Sequence, residues 1–342
     1  MIQFPKRYAL PALVGASALL LAACSSSGDA ESSDSATATM SADAGSDLPD
    51  TLTLALVPSD DVNQITTDGE ALATVLSDQL GVDVKVFVPD SYNAVVVALQ
   101  TGQADIGFLG PIAMWQAHEE ANASIVLQSV RYGSSEYVGQ WLTNDPDTYC
   151  LDDVTTETDD SGVEYSYCNG ATGGSGPAGA DALALIPEDA SISWVDATSA
   201  SGYYFPATQL AGILGIDDPS SAFPNGFFAG GHPQSVQAVY DGSASIGVSY
   251  NDARSNLAEE FPDVGTKVVV FAYTENIPND GVVVSGDLSQ SAQDEITQAL
   301  LDVAATDDGA AALSAVYDID GLEAANQDAF SGIVASTYAN FG

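Results

Sequence analysis

The stretch Leu99-Gln100-Thr101-Gly102-Gln103-Ala104-Asp105-Ile106-Gly107 returns in pattern 140 positions later as Val239-Tyr240-Asp241-Gly242-Ser243-Ala244-Ser245-Ile246-Gly247. Each copy closes a helical run, turns at a glycine and enters a short apolar strand through Ala-x-Ile-Gly. At the same offset Leu52 meets Ile192, Ser59 meets Ser199 and Tyr92 meets His232, so the correspondence covers about 55 residues. The identities are few, but a constant offset over that length marks two regions of similar build.

Working outward, Thr51 to Val57 reads as a buried strand, and Glu70 to Leu80 has helical spacing that stops at Gly81. Val82 to Val88 is a second strand, Ser91 caps a helix through Leu99, and Ala104 to Leu109 is a third strand. Alternating strands and helices predict an α/β fold with parallel sheets. Two such lobes predict a clamshell, with ligand held where the carboxyl ends of the strands face one another. The residues just past each strand are therefore the site candidates: Ser59, Tyr92, Ser199 to Ser201, His232 and Tyr250 to Asp252.

Charge and length narrow the function. The 342 residues carry 6 Lys+Arg against 48 Asp+Glu, a net charge of −42. A length of this size suits two domains, and 46% apolar residues suffice for real cores. Such acidity excludes non-specific nucleic-acid binding and polybasic attachment to an anionic membrane. It favours a soluble monomer. Lys6 and Arg7 precede an apolar run from Tyr8 to Ala23 that ends Leu21-Ala22-Ala23-Cys24, the build of a secretory signal. The small residues before Cys24 resemble a bacterial lipobox, so residues 1–23 are expected to be cleaved and Cys24 lipidated. An ordinary signal peptide with an incidental cysteine is the alternative. Residues 24–50, rich in Ser, Ala, Asp and Gly, read as a flexible tether. Cleavage leaves 4 cations against 48 acids, a net of −44.

Cys150 and Cys168 then remain, 18 residues apart, and in an exported chain they are most simply a disulfide. A metal site is the weaker reading, since neither His118 nor His232 is near in sequence. The segment they close, residues 145–169, is polar and acidic and reads as an excursion from the core. Its acid pairs Asp152-Asp153 and Asp159-Asp160 match no calcium-loop spacing and read as solvated.

Asp196-Ala197-Thr198-Ser199-Ala200-Ser201-Gly202-Tyr203 places small hydroxyl residues at a strand-to-helix junction. Free backbone N–H groups, two hydroxyl donors and the helix dipole suit a tetrahedral oxyanion there. A plain Ser N-cap with no ligand is the alternative. His232 precedes Pro233 at a helix start, where the local dipole is expected to keep the imidazole neutral. Tyr92, its counterpart in the repeat, offers a hydroxyl. No nucleophile elbow and no His/Cys metal spacing occurs, so no enzymatic activity, no cofactor and no metal are expected.

With those residues in hand, the run from Thr51 to about Phe330 resembles the phosphate/phosphite/phosphonate-binding lipoproteins of ABC importers, the PhnD-like group of periplasmic-type binding proteins. The matching stretches are Leu54-Ala-Leu-Val-Pro-Ser59, Asp90-Ser-Tyr-Asn-Ala-Val95, Gly102-Gln-Ala-Asp-Ile-Gly-Phe-Leu-Gly-Pro111, Ser199-Ala-Ser-Gly-Tyr203 and Gly230-Gly-His232. The resemblance implies Tyr92 as a ligand tyrosine, Tyr137 near a second one, and His232 as a ligand histidine. It implies Ser199, Ala200 and Ser201 as a Ser-Thr-Ser cradle, and Asp252 as an acid meeting a ligand substituent or a protonated ligand oxygen. Ala200 departs from that pattern and removes one hydroxyl donor, and the insertion from Cys150 to Cys168 is not part of it.

The reading is then a lipid-anchored, two-lobed periplasmic-binding-protein-like α/β clamshell with two hinge crossings. Lobe 1 is expected at 51–136 plus 274–342 and lobe 2 at 137–273, with crossings near Val138–Leu142 and Val268–Ala272. The expected ligand is phosphite, phosphate or a small phosphonate, and the expected partners are an ABC permease and ATPase. Another small anion on the same fold, or a ligand-sensing subunit of a membrane receptor, are the alternatives.

Overall fold

A computed structural model describes residues 47–341. The expected signal peptide, Cys24 and most of the expected tether lie outside the described residues. Among the described residues thirteen strands form two sheets. They are β1 (Thr51–Leu56), β2 (Asp83–Phe87), β3 (Ile106–Leu109), β4 (Ser124–Val130), β5 (Glu136–Thr143), β6 (Thr155–Thr158), β7 (Glu164–Tyr167), β8 (Ile192–Trp194), β9 (Phe227–Phe228), β10 (Ile246–Tyr250), β11 (Val269–Pro278), β12 (Gly281–Val284) and β13 (Gly321–Ala324). The six-stranded sheet has the order β13-β4-β12-β3-β1-β2, and the seven-stranded sheet the order β6-β7-β11-β5-β10-β8-β9.

The repeated stretch does the same work in both sheets. Helices Tyr92–Gln100 and His232–Tyr240 occupy equivalent positions 140 residues apart. Gly102 and Gly242 end them with φ of 67° and 77°, a conformation that suits glycine. The Ile-Gly strands then pass so close beneath those helices that a Cβ at Gly107 would lie 3.2 Å from Leu99, and one at Gly247 would lie 2.7 Å from Val239. The first strands, however, are shifted. Ile106 pairs with Leu54 while Ile246 pairs with Ile192, an offset of 138 that makes Leu54, not Leu52, the partner of Ile192.

The first helix also starts earlier than its apolar spacing predicts. It spans Val62–Leu80, with Asp61 accepting hydrogen bonds from the backbone N–H groups of Asn63 and Gln64. Thr66 and Thr67 donate back to the carbonyls of Val62 and Asn63. Polar first turns of this kind hide the helix from a hydrophobic pattern.

The strands expected to be the crossings, within β5 and β11, instead pair with each other antiparallel inside the seven-stranded sheet. The chain passes between sheets at their ends, through residues 131–135 and through Asn279-Asp280. Arg131 forks onto the Asp280 carboxylate there and donates to the Tyr317 carbonyl, while Asn279 donates to the carbonyls of Ser129 and Ser134. Both crossings are thus tied at one point.

The Cys150–Cys168 disulfide is present. The segment it closes is not wholly a solvated excursion: β6 is exposed, but β7 joins β11 and buries Tyr165 and Tyr167. These two rings flank the guanidinium of Arg254, a fully buried side chain, at 5.0 and 4.8 Å. The polar residues Glu164 and Ser166 of β7 conceal that role in the sequence, although Ser166 is itself buried with the tyrosines. One buried apolar cluster runs from Val57, Tyr92 and Met114 on the first sheet's side to Trp141, Trp194 and Tyr203 on the second's. It seals the lobes together along a common seam.

Candidate functional site

The site begins with the two equivalent helix starts. Ser91 and Gly231 are the caps, both extended, with φ/ψ of −155°/162° and −161°/165°. Tyr92 and His232 follow as first helical residues and are buried. The backbone N–H of His232 donates to the carbonyl of Ser59 at 3.2 Å, a hydrogen bond from one lobe to the other. His232 Nδ1 lies 2.9 Å from Ser249 Oγ, and its ring sits 4.6 Å from that of Tyr250. Burial lowers the imidazole pKa to about 3, so His232 is neutral at ordinary pH. Desolvation is the cause.

Tyr92 lies in the field of Asp196, Tyr317, Tyr137 and Tyr250, drawn from both lobes. Burial first, then Asp196, pushes its phenol well above the ordinary range, so it stays a donor. Tyr137, on β5, is pushed up to about 12 by burial, against hydrogen bonding with Ser201 that pulls it down.

The Ser199–Tyr204 turn carries the neutral cradle. Ser199 Oγ accepts from Gly202 N at 3.1 Å, and Tyr204 N reaches back to Ser199 O at 3.0 Å, which opens the turn wider than an α-helix. Ser199, Ala200 and Ser201 are all buried. Ala200 belongs to the apolar seam, so the hydroxyl that the resemblance implies is replaced by a methyl in that cluster.

Asp252 does not join this group. Its carboxylate holds Arg254 at 2.5 and 2.9 Å and accepts from the Tyr167 hydroxyl at 3.2 Å. Burial works against that charge, but the Arg254 guanidinium outweighs it and keeps the carboxyl below the usual range. Asp252 therefore anchors β7 and the end of β10, with much of its accepting capacity used.

Sequence reasoning missed several neighbours of the site. Ser249 had a signal, since it is a polar residue in the buried apolar strand Ile246–Tyr250. Asn256, which donates across the lobes to Asp60 at 2.5 Å and within its own lobe to the Tyr250 hydroxyl at 2.8 Å, had none. Tyr317, donating to the Val57 carbonyl at 2.8 Å, comes from the last third of the chain. Among the described residues no group of three or more His, Cys, Asp or Glu side chains is placed to hold a metal ion. Nor is any helix among them long and apolar enough to cross a membrane. The arrangement is a ring of neutral donors between two lobes.

Comparison with known proteins gives a consistent outcome. The family described as ABC transporter, phosphonate, periplasmic substrate-binding protein matches residues 54–330. The phosphate-import protein PhnD of Mycolicibacterium smegmatis is 24% identical over 241 residues, covering 68% of this chain and 62% of that relative. The match thus spans less than two thirds of the relative's length. A binding-protein component of an ABC phosphonate transporter from Pseudomonas aeruginosa shares the fold with a TM-score of 0.67 at 17% identity, covering 85% of this chain and 88% of the other. A Prochlorococcus marinus PhnD protein in complex with methylphosphonate does so with a TM-score of 0.67 at 16% identity, covering 86% and 100%.

Proposed function

This chain belongs to the family of phosphonate-type periplasmic substrate-binding proteins of ABC transporters, and on that premise we propose that it captures a small phosphorus oxyanion between its lobes for import. Members of the family are transport binding proteins, not enzymes. The ligand is phosphite, phosphate or a small phosphonate. The observation that carries this reading is the buried hydroxyl turn Ser199–Ser201 lying within one ring of donors with Tyr137, Tyr92 and His232. An oxyanion buried there has a hydrogen-bond donor for each oxygen, the condition for burying it at all.

The lobes meet at the tied crossings, residues 131–135 and Asn279-Asp280, and close about them to present one surface to a permease and its ATPase. Residues 1–23 are a signal peptide, Cys24 carries lipid, and residues 24–50 tether a monomeric receptor to the outer face of the membrane. Support for this part is the Leu21-Ala22-Ala23-Cys24 string and the polar run that follows it.

Isothermal titration calorimetry of residues 47–342 against phosphite, phosphate, methylphosphonate and 2-aminoethylphosphonate tests the reading. One-to-one binding of at least one, lost in the Ser199→Ala/Ser201→Ala double variant with the fold retained, is the expected result. Silence from all four in folded protein, or unchanged affinity in the double variant, would overturn it.

A further inference from the structure

The four cations among the described residues are all committed elsewhere. Lys85 is exposed on β2 beside Asp83, and Lys267 lies 3.7 Å over the ring of Tyr240. Arg131 is forked onto Asp280, and Arg254 holds Asp252 together with the carbonyls of Ser166, Gly265 and Val268. The groups facing the ring of donors carry the opposite sign. Asp196 acts on Tyr92, Asp60 and Asp318 act on Tyr250, and Asp280 acts on Tyr137. Arg131 opposes them at Tyr137 and Tyr250, but its charge is matched by Asp280.

We infer that the cleft takes its phosphorus ligand as the monoanion and discriminates against the dianion, an inference that rests on the oxyanion reading above. The desolvation cost of an ion rises with the square of its charge, whereas the stabilisation by fixed neutral donors rises only in proportion to it. With Arg131 already matched by Asp280, and Asp60, Asp196 and Asp318 adding negative field, the dianion is the disfavoured form. The donors themselves hold their protonation across the neutral range. Tyr92, Tyr137, Tyr250 and Tyr317 are all pushed upward, and His232 is pushed down to about 3. Its Nδ1 meets the Ser249 hydroxyl, so Nε2 is the nitrogen left to face the ligand. Asp318, raised by partial desolvation, is the cleft carboxylate displaced toward the neutral range. The ligand's own second ionisation is therefore the step expected to dominate.

The test is calorimetry from pH 5 to pH 9 with two probes. Methylphosphonate ionises twice. Methylphosphinate, with hydrogen in place of one P–OH, ionises once and reports any titration of the protein itself. The inference expects methylphosphonate affinity to fall about tenfold per pH unit above its second ionisation, with the methylphosphinate profile flat. If methylphosphinate does not bind, the methylphosphonate slope decides alone. Affinity for methylphosphonate that is constant or rises with pH would overturn the inference while leaving the oxyanion site standing. Absence of binding by both probes, phosphite and phosphate at every pH, in folded protein, would remove the oxyanion reading and the inference with it.

Discussion

Each copy of the repeat opens with a strand running into a helix, and the two junctions solve the same problem differently. A helix start leaves backbone N–H groups without acceptors. After β1, Asp61 supplies a carboxylate that accepts from Asn63 and Gln64 at 3.0 Å each. After β8, Ser199 supplies a neutral hydroxyl to Gly202, and the turn widens before the helix Phe205–Leu214 begins. The first junction is filled by the protein's own anion and repels another. The second also carries an acid, Asp196, but that carboxylate is turned onto Thr198 and the cap itself is a neutral hydroxyl. One fold repeated twice thus yields one carboxylate-capped and one hydroxyl-capped junction, and the second is the one proposed to hold the ligand.

Making the second junction like the first should have the largest effect. Ser199→Asp keeps a good N-cap but puts a carboxylate in the cradle. At about 4 Å and an effective dielectric of about 20 the repulsion is ~4 kcal/mol, so ligand affinity should fall about a thousandfold, and the melting temperature should fall as well because the new carboxylate is buried. Calorimetry and a melting curve check both halves of that statement.

The disulfide-closed insertion belongs to the second lobe alone. Cys150→Ala with Cys168→Ala should cost about 3 kcal/mol of stability, read from denaturant unfolding, and leave ligand affinity within twofold. A large loss of affinity would show that the insertion shapes the cleft.

His232 and Tyr92 occupy equivalent helix starts, but only His232 responds to acid. The His232 pKa is about 3 when folded and near 6.5 when unfolded, so the unfolded chain binds the extra proton between those values. Its contribution is therefore fully present above pH ~6.5 and is lost as pH falls, by roughly 3 kcal/mol at pH 4.5. Urea unfolding of the wild type and of His232→Asn at pH 7 and 4.5 should show this step only in the wild type. Tyr92, displaced upward, contributes none in that range.

The caps before those helices offer the smallest contrast. Ser91 Oγ accepts from Ala94 N, whereas Gly231 makes no side-chain cap. Ser91→Ala should cost about 1 kcal/mol by denaturant unfolding and leave affinity unchanged.

How much of this was legible beforehand depends on whether a feature is local. The glycines at 102 and 242, the Ser91 cap and the Ile-Gly strands are read from a few neighbouring residues, because a positive φ or a missing Cβ is a property of one position. The shift of two residues between β1 and β8 was not legible, since register is fixed by pairing with β3 and β10 rather than by either strand alone. Asp252 was assigned to the ligand by resemblance. Its partner Arg254 stands two positions away, but only the burial of both beneath Tyr165 and Tyr167 turns that proximity into an anchoring ion pair.

The sequence by itself determined the two α/β regions, the oxyanion-suited junction at Ser199–Ser201 and the severe shortage of cations. These follow from periodicity, local hydrogen-bonding capacity and composition. Tertiary structure alone decided that His232 is neutral through burial, that Ser249 holds its Nδ1, and that Asn256 reaches Asp60 from the other lobe. The reason is physical: desolvation and long-range hydrogen bonds depend on what surrounds a group in space, and neighbours along the chain do not specify that.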